Sequence, residues 1–377
     1  MAAPPAQCIG VRRDLSTMRE NAKEIVSFLA FEIYFILYYA PEFEHMNTEI
    51  GKNTFLGLPE TIEKIPDVAI LPIPYELTTS FGQGTEFGPA ACIEVSSQVE
   101  LYDPCLSEEL PAGFTIQTVD EWKSNEGTLL SQLDSIVDYL TPWINGDTFP
   151  IVLGGEHGML PAIVRSLNEH PLIENLANVT LIQIDAHADL REELDGERWS
   201  HACAAKRSLE LGIGKLIQFG IRAYSKEEEE MFMADERIET YLAKNILSPS
   251  DNGKQWIEWL NKLSDLEGPV WITLDIDGLD GNLVPATGTP VPGGLYFWQV
   301  IETMEKLFLN KDVMILGIDV NEIVPEENTP LTQFTAAMLA TKAVALHLST
   351  KSGDGTPKHN SNDERKMEKS DYFQNHG

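Results

Sequence analysis

Six residues in three short stretches have the types and spacing to hold metal ions: Asp185, His187 and Asp189 in DAHAD, Asp275 and Asp277 in DIDGLD, and His157 at the end of GGEH. Along an extended chain alternate side chains share a face. DAHAD can therefore aim two carboxylates and an imidazole at one point, and DIDGLD can repeat this from a second strand. His157 adds a nitrogen from a third. Six ligands exceed what one tetrahedral ion uses, and carboxylates can bridge. The oxygen-rich, nitrogen-containing mix suits Mn²⁺ or another first-row divalent ion better than a thiolate metal. Two such ions roughly 3.5–4 Å apart can share a water and lower its pKa toward neutrality, which is hydrolytic chemistry.

A hydrolase also needs a group to protonate its leaving amine. His201, in the Ser200-His201 pair, is the candidate, since an imidazole with a reference pKa of about 6.5 suits proton transfer. Glu322 follows an apolar run and could bind a planar guanidinium through paired hydrogen bonds. Glu156 points away from His157 if the chain is extended there, so it is read as a support, and Asp280 as a loop-shaping residue. Singly, each aspartate could cap a turn and each histidine could be structural. Their joint occurrence after apolar runs favours a site.

Those runs cover residues 68–74, 149–153, 179–184, 216–222, 269–274 and 313–318, and helical patterns fall near 128–140, 159–168, 202–212, 225–234, 253–264, 296–309 and 331–349. The alternation predicts a single α/β domain with a central, mostly parallel sheet and helices on both faces. In such sheets the site lies beyond the carboxyl ends of the strands, where these motifs fall. Gly82, Gly84 and Gly88 match no phosphate-binding fingerprint, and TTSFGQGTEFGPAA is read as a loop over the site mouth.

Across 377 residues, 27 Lys and Arg stand against 59 Asp and Glu, a formal net charge of −32. Such a field repels nucleic acid and anionic membrane surfaces and suits a small cationic substrate. Cys8, Cys92, Cys105 and Cys203 form no C-x-x-C pair, which argues for a reducing, cytoplasmic setting and against a disulfide framework. The apolar segment Ile25–Ala40 is interrupted by Glu32 and is shorter than the roughly 20 residues a membrane span needs. The expected organisation is an N-terminal extension with an apolar helix over 1–45, a catalytic domain over 46–348, and a disordered polar tail over 349–377.

The order and spacing of GGEH, DAHAD, SH and DIDxLD resemble the ureohydrolases, the family of arginase and agmatinase, from about residue 68 to 348. PYELTTSFGQGTEFGP, SSQVELYD, DAHADLREELDGERWSHAC and TGTPVPGGL look most like the microbial agmatinase branch. The resemblance implies an arginase-like three-layer sandwich and a binuclear Mn²⁺ centre. His157, Asp185, Asp189 and Asp275 would hold one ion, and Asp185, His187, Asp275 and Asp277 the other. His201 would match the proton-shuttling histidine and Glu322 the guanidinium-binding glutamate. The implied reaction is hydrolysis of agmatine to putrescine and urea, a step of polyamine biosynthesis, in a homotrimer or homohexamer. Two departures stand out: Gly281 replaces the family's usual Pro after Asp280, and Gly158 replaces its usual Ser after His157. The Asn- and Ser-bearing loop that follows DAHxD in arginases is not found.

Alternatives within the class are a guanidine hydrolase, with Ni²⁺ possible, and a guanidinobutyrase. Outside it stand a degenerate, non-enzymatic regulatory relative and a one-zinc hydrolase of acetyl-amides.

Overall fold

The computed structural model describes residues 53–60, 65–111, 113–124 and 127–351. The extension over 1–45, with its apolar segment, and the chain beyond residue 351 lie outside the described residues. The strands are β1 (Val68–Ile73), β2 (Tyr102–Asp103), β3 (Glu108–Glu109), β4 (Ile116–Thr118), β5 (Phe149–Gly154), β6 (Thr180–Ile184), β7 (Lys215–Ile221), β8 (Ile238–Leu242), β9 (Gly268–Asp275) and β10 (Val313–Asn321). The helices are α1 (Gly88–Ser96), α2 (Leu129–Leu140), α3 (Leu160–Ser166), α4 (Ala204–Glu210), α5 (Lys226–Ala234), α6 (Ala243–Ile246), α7 (Lys254–Ser264), α8 (Phe297–Leu309) and α9 (Leu331–Lys351).

Eight strands form one sheet in the order β4-β1-β5-β10-β9-β6-β7-β8. Every pairing in it is parallel. Parallel strands need crossovers, and the intervening helices supply them on both faces. Alternation along the strands divides the core accordingly. Ile70, Ile151, Ile182, Phe219, Ile272 and Ile318 pack with α1, α7, α8 and α9. Leu71, Val152, Leu181, Leu216 and Trp271 pack with α2, α3, α4 and α5 on the other face. Phe219 stacks on Trp259 at a centroid distance of 4.2 Å, and the Trp259 indole donates to Thr303 Oγ1 at 2.9 Å, so the ring is buried with its polar edge satisfied.

Three features depart from the expectation. β10 continues to Asn321, three residues past the apolar run, because Asp319 is paired inside the sheet. The last helix reaches Lys351, so Ser349 is a buried helical residue and not the start of a tail. GPAACIEVS is helix α1, not loop, and it packs against α9. No helix among the described residues is long and apolar enough to cross a membrane.

α5 shows how local signals reach the site. Ser225 caps it, accepting from Glu228 N, while Glu228 reaches back to Ser225 N in a capping box. The same Glu228 carboxylate accepts from Leu190 N at 3.1 Å, which ties the end of DAHAD to the helix.

On α9, His347 stacks on Phe149 at 4.0 Å, and its Nε2 has no partner. Burial, helped by the Lys351 charge, pushes its pKa down to about 3. An unfolded histidine binds a proton below about 6.5, so its contribution is intact above that pH and is lost as pH falls toward 3. Urea unfolding at pH 7 and pH 4.5 should therefore show a smaller loss for His347→Gln than for the parent. Equal losses in the two proteins would contradict this.

Candidate metal centre and active site

The four central strands, β5, β10, β9 and β6, are neighbours, and each delivers a functional group at its carboxyl end. β5 leads to His157, β6 to Asp185, β9 ends on Asp275, and β10 leads to Glu322. Chain order reverses across this region, which opens a crevice for a ligand. Asp189 and Glu322 sit in left-handed backbone, with φ of 54° and 61°. For residues with a side chain this costs about 1–3 kcal/mol and persists only where the surroundings impose it. At Glu322 they do: its N–H donates to Gly155 O at 2.7 Å, and its Oε1 accepts from His157 N at 2.8 Å.

The six sequence-predicted ligands come together. His157 Nδ1 lies 3.1 Å from Asp185 Oδ2, 3.2 Å from Asp189 Oδ2 and 3.6 Å from Asp275 Oδ2. His187 Nδ1 lies 3.0 Å from Asp277 Oδ2 and 3.7 Å from Asp185 Oδ1. Two groups of compatible donors result, His157–Asp185–Asp189 and Asp185–His187–Asp277. Asp185 belongs to both, and Asp275 stands beside the first.

These donors fit divalent cations. Thr273 Oγ1 donates to Asp319 Oδ2 at 2.6 Å. Its lone pair therefore faces His157 Nε2, 2.8 Å away, and that nitrogen carries the proton. Nδ1 is left bare, buried and without a hydrogen-bond partner, aimed at the carboxylates. Such an outer carboxylate–hydroxyl relay orients a metal-binding imidazole. Among the described residues no Lys or Arg pairs with the four aspartates. Burial, then Asp277 and Asp185, hold the Asp275 carboxyl well above its ordinary range. Burial and Asp185 push Asp189 up to about 7. A third acidic group, Asp103–Cys105–Glu305, contrasts with these: Lys342 Nζ lies 2.6 Å from both of its carboxylates and supplies the cation there.

His201 opens a short 3-10 turn. Its Nδ1 is 3.3 Å from Thr78 Oγ1 and 3.9 Å from Glu156 Oε1, and its Nε2 is 3.5 Å from Ser80 Oγ. Burial, with the neighbouring His187 and His157, lowers its pKa to about 4. Glu322 is raised to about 8 by burial and by Glu156. Its Oε2 would lie 2.9 Å from any Cβ at residue 288, so Gly288 leaves room for the carboxylate. A cavity of about 310 Å³ opens beside His201, lined by Ser80, His187, Asp189, Arg191, His201 and Glu228; Glu322 is not among its lining residues. A roomier cavity of about 610 Å³, beside Tyr102, Trp298 and Met338, contains none of the candidate site residues. Cys203 is buried, and burial pushes its thiol up to about 11.

Sequence reasoning missed Thr78, Thr273, Asp319 and Arg222. Arg222 anchors the loop after β9, donating from Nη2 to Asp277 O at 2.7 Å and to Val291 O at 2.5 Å. Asp319, an acid in an otherwise apolar run, was the one available signal.

The architecture and donor set are those of a metal-dependent α/β hydrolase. The Arginase family model matches residues 66–346. An N(1)-aminopropylagmatine ureohydrolase of Synechocystis sp. is 33% identical over 300 residues, covering 78% of this chain and 93% of that protein. An agmatinase of Pyrococcus horikoshii is 34% identical over 290 residues, covering 75% and 93%. The crystal structure of an agmatine ureohydrolase of Thermoplasma volcanium superposes with a TM-score of 0.64 at 25% identity, over 77% of this chain and 92% of that one. The chain belongs to the arginase family, the ureohydrolases. That membership implies a hydrolase with a binuclear divalent metal centre.

Asp319→Asn weakens the acceptor behind Thr273 and frees the His157 tautomer. Calorimetric titration of metal-free protein should show about 10- to 100-fold weaker binding of the ion at His157. Unchanged affinity would remove the relay from the site.

Proposed function

We propose that this chain is an agmatinase that hydrolyses agmatine to putrescine and urea on a Mn²⁺ pair. One ion is held by His157, Asp185, Asp189 and Asp275, the other by Asp185, His187, Asp275 and Asp277. The observation that carries this is the division of the donors by Asp185, whose Oδ2 faces His157 Nδ1 at 3.1 Å and whose Oδ1 faces His187 Nδ1 at 3.7 Å. When bound, the ions supply a water made acidic enough to attack a guanidino carbon. Glu322 binds the guanidinium: Oε1 is committed to His157 N, and Oε2 remains to accept from the substrate. His201 offers Nε2 to the cavity beside Ser80 and protonates the departing amine.

The cavity of about 310 Å³ is roomier than free guanidine requires, which favours a guanidine carrying an aliphatic chain over a guanidine hydrolase, whether on Mn²⁺ or Ni²⁺. One observation supports a guanidinobutyrase as second reading: Arg191 lines the same cavity and could meet a carboxylate tail. Its Nε lies 3.7 Å from Glu228 Oε2, and this offset keeps a cationic tail, and so agmatine, ahead. We further read the protein as a cytoplasmic homo-oligomer, a trimer or hexamer acting in polyamine biosynthesis. The free thiols of Cys92, Cys105 and Cys203 and the exposed Trp298 support that setting.

Urea release from agmatine, arginine, 4-guanidinobutyrate, 3-guanidinopropionate and guanidine, each with Mn²⁺ or Ni²⁺, tests the substrate. Agmatine with Mn²⁺ should lead; activity on guanidine alone would overturn the substrate. His187→Ala should lower the metal content from two ions per chain to one, and a parent ratio of one would point to the acetyl-amide hydrolases instead. His201→Phe should slow turnover by about 10²–10⁴-fold with both ions retained. Loss of metal in that variant would make His201 a ligand, and no turnover by the parent on any substrate would favour a non-enzymatic relative.

A further inference from the structure

We infer that Thr78 is a positioning residue whose hydroxyl, anchored on Glu156, fixes His201 in the tautomer protonated at Nδ1 and leaves Nε2 as the working atom. This rests on the reading of His201 as the acid–base group. Three groups surround Thr78 Oγ1: Glu156 Oε1, to which it donates, the His201 backbone N–H at 3.0 Å, and His201 Nδ1 at 3.3 Å. A hydroxyl has one proton and two lone pairs. A carboxylate can only accept, so Glu156 takes the proton. The backbone N–H of His201 uses one lone pair. What Thr78 leaves for Nδ1 is a lone pair, so toward Thr78 Nδ1 donates; Ser200 Oγ, able to donate or accept, stands slightly farther from Nδ1 at 3.4 Å.

The anchor is itself fixed. Glu156 is fully buried, and its Oε2 accepts from Leu77 N at 2.8 Å and Thr78 N at 2.7 Å. Together with the hydroxyl these make three donors on one side chain, which offset part of the rise in pKa that burial causes. Gly158 completes the arrangement, because a Cβ there would stand 2.7 Å from Glu156 Oε1 and 3.3 Å from His201 N. The glycine that follows His157 thus makes room for a carboxylate directed at the acid–base residue, and Glu156 and His157, adjacent in the chain, serve opposite sides of the site.

The consequence for the reaction is a defined proton path. As the attacking water's oxygen bonds to the guanidino carbon, a water proton passes to Nε2. The resulting imidazolium keeps its Nδ1 proton on the Thr78 hydroxyl. When the bond from carbon to the leaving nitrogen breaks, its electron pair leaves with the nitrogen and the Nε2 proton moves there, the former water oxygen releases its second proton to solvent as the urea carbonyl forms, and the imidazole returns to its starting tautomer. With Nε2 protonated at the outset, the first transfer would have no acceptor facing the cavity.

Long-range ¹H–¹⁵N spectra of the full, metal-free chain labelled with ¹⁵N-histidine read the tautomer directly, with His201→Phe providing the assignment. The parent and Thr78→Ser should show His201 protonated at Nδ1. Thr78→Val, which removes the hydroxyl but keeps the shape, should show a mixed or Nε2-protonated ring. In the metal-loaded enzyme, Thr78→Val should lose at least about tenfold in kcat with KM and metal content unchanged, and Thr78→Ser should recover most of that loss. An Nδ1-protonated His201 in Thr78→Val, or an Nε2-protonated ring in the parent, overturns the inference. If Thr78→Val does not fold, Gly158→Ala reads the relay from its other end; it should displace Glu156 and lose the tautomer, and retention there overturns the inference too. A parent that releases no urea from any guanidino compound would instead refute the proposed function, while the tautomer reading would still stand.

Discussion

The repulsion among Asp185, Asp189, Asp275 and Asp277 is the constraint around which this molecule is arranged. They are buried together beyond the carboxyl ends of the central strands, where the medium screens charge poorly, and among the described residues no lysine or arginine forms an ion pair with their carboxylates, the Arg222 charge reaching them without direct contact. Backbone amides take part of the load: Ala186 N donates to Asp277, His187 N to Asp185, and Asp277 N to Asp275. These bonds orient the carboxylates without neutralising them. What stays uncompensated is an attraction for small, highly charged cations. A site that destabilises its own scaffold needs a stable sheet beneath it, and the two apolar layers around β5, β10, β9 and β6 provide one.

The supports reach well into that sheet. Asp319 and Thr273 set the orientation of His157 from within β10 and β9. Gln183 donates to Asp185 Oδ2 at 2.8 Å and accepts from Gln218 at 2.8 Å, so a buried amide ladder runs beneath the carboxylate that the two donor groups share. Such ladders are worthwhile only when every member is satisfied. Arg222 performs the same service for backbone, gathering carbonyls on the loop that carries Asp277. The site is held as firmly by neutral dipoles and one guanidinium as by its own ligands.

Much of this was legible in the sequence. β1, β5, β6, β7 and β9 match their apolar runs closely because they are buried on both faces, and an uninterrupted run has few other interpretations. The short edge strands β4 and β8 carry polar residues and left no such trace, and α1 lacks the charged periodicity that marks a surface helix. Five of the six candidate ligand positions were visible because local spacing within DAHAD and DIDGLD already confers a shared direction, and His157 by its place after the apolar run at 149–153. Thr78, Thr273 and Asp319 were not, since each acts on a histidine far along the chain: Thr273 lies 116 residues from His157, and Thr78 lies 123 from His201. Only tertiary structure makes such pairs neighbours. The run at 313–318 stops at Asp319, a charged residue whose place inside the sheet follows only from its partners Trp271, Thr273 and Asn321.

The strand order also sets a timetable. β5 and β6 are synthesised early but end up three strand spacings apart, about 14 Å, and the gap between them is filled last, by β9 and then β10. Until those strands insert, His157 and Asp185 have no fixed separation, and Glu322 has no place to stand. Parallel strands joined by long crossovers close slowly. A nascent or C-terminally truncated chain would therefore carry the DAHAD ligands without a centre to complete, and the affinity for cations would arise only as the final strand enters the sheet. Ion binding is in this sense a late checkpoint on assembly, reporting that the interior strand added last has found its register.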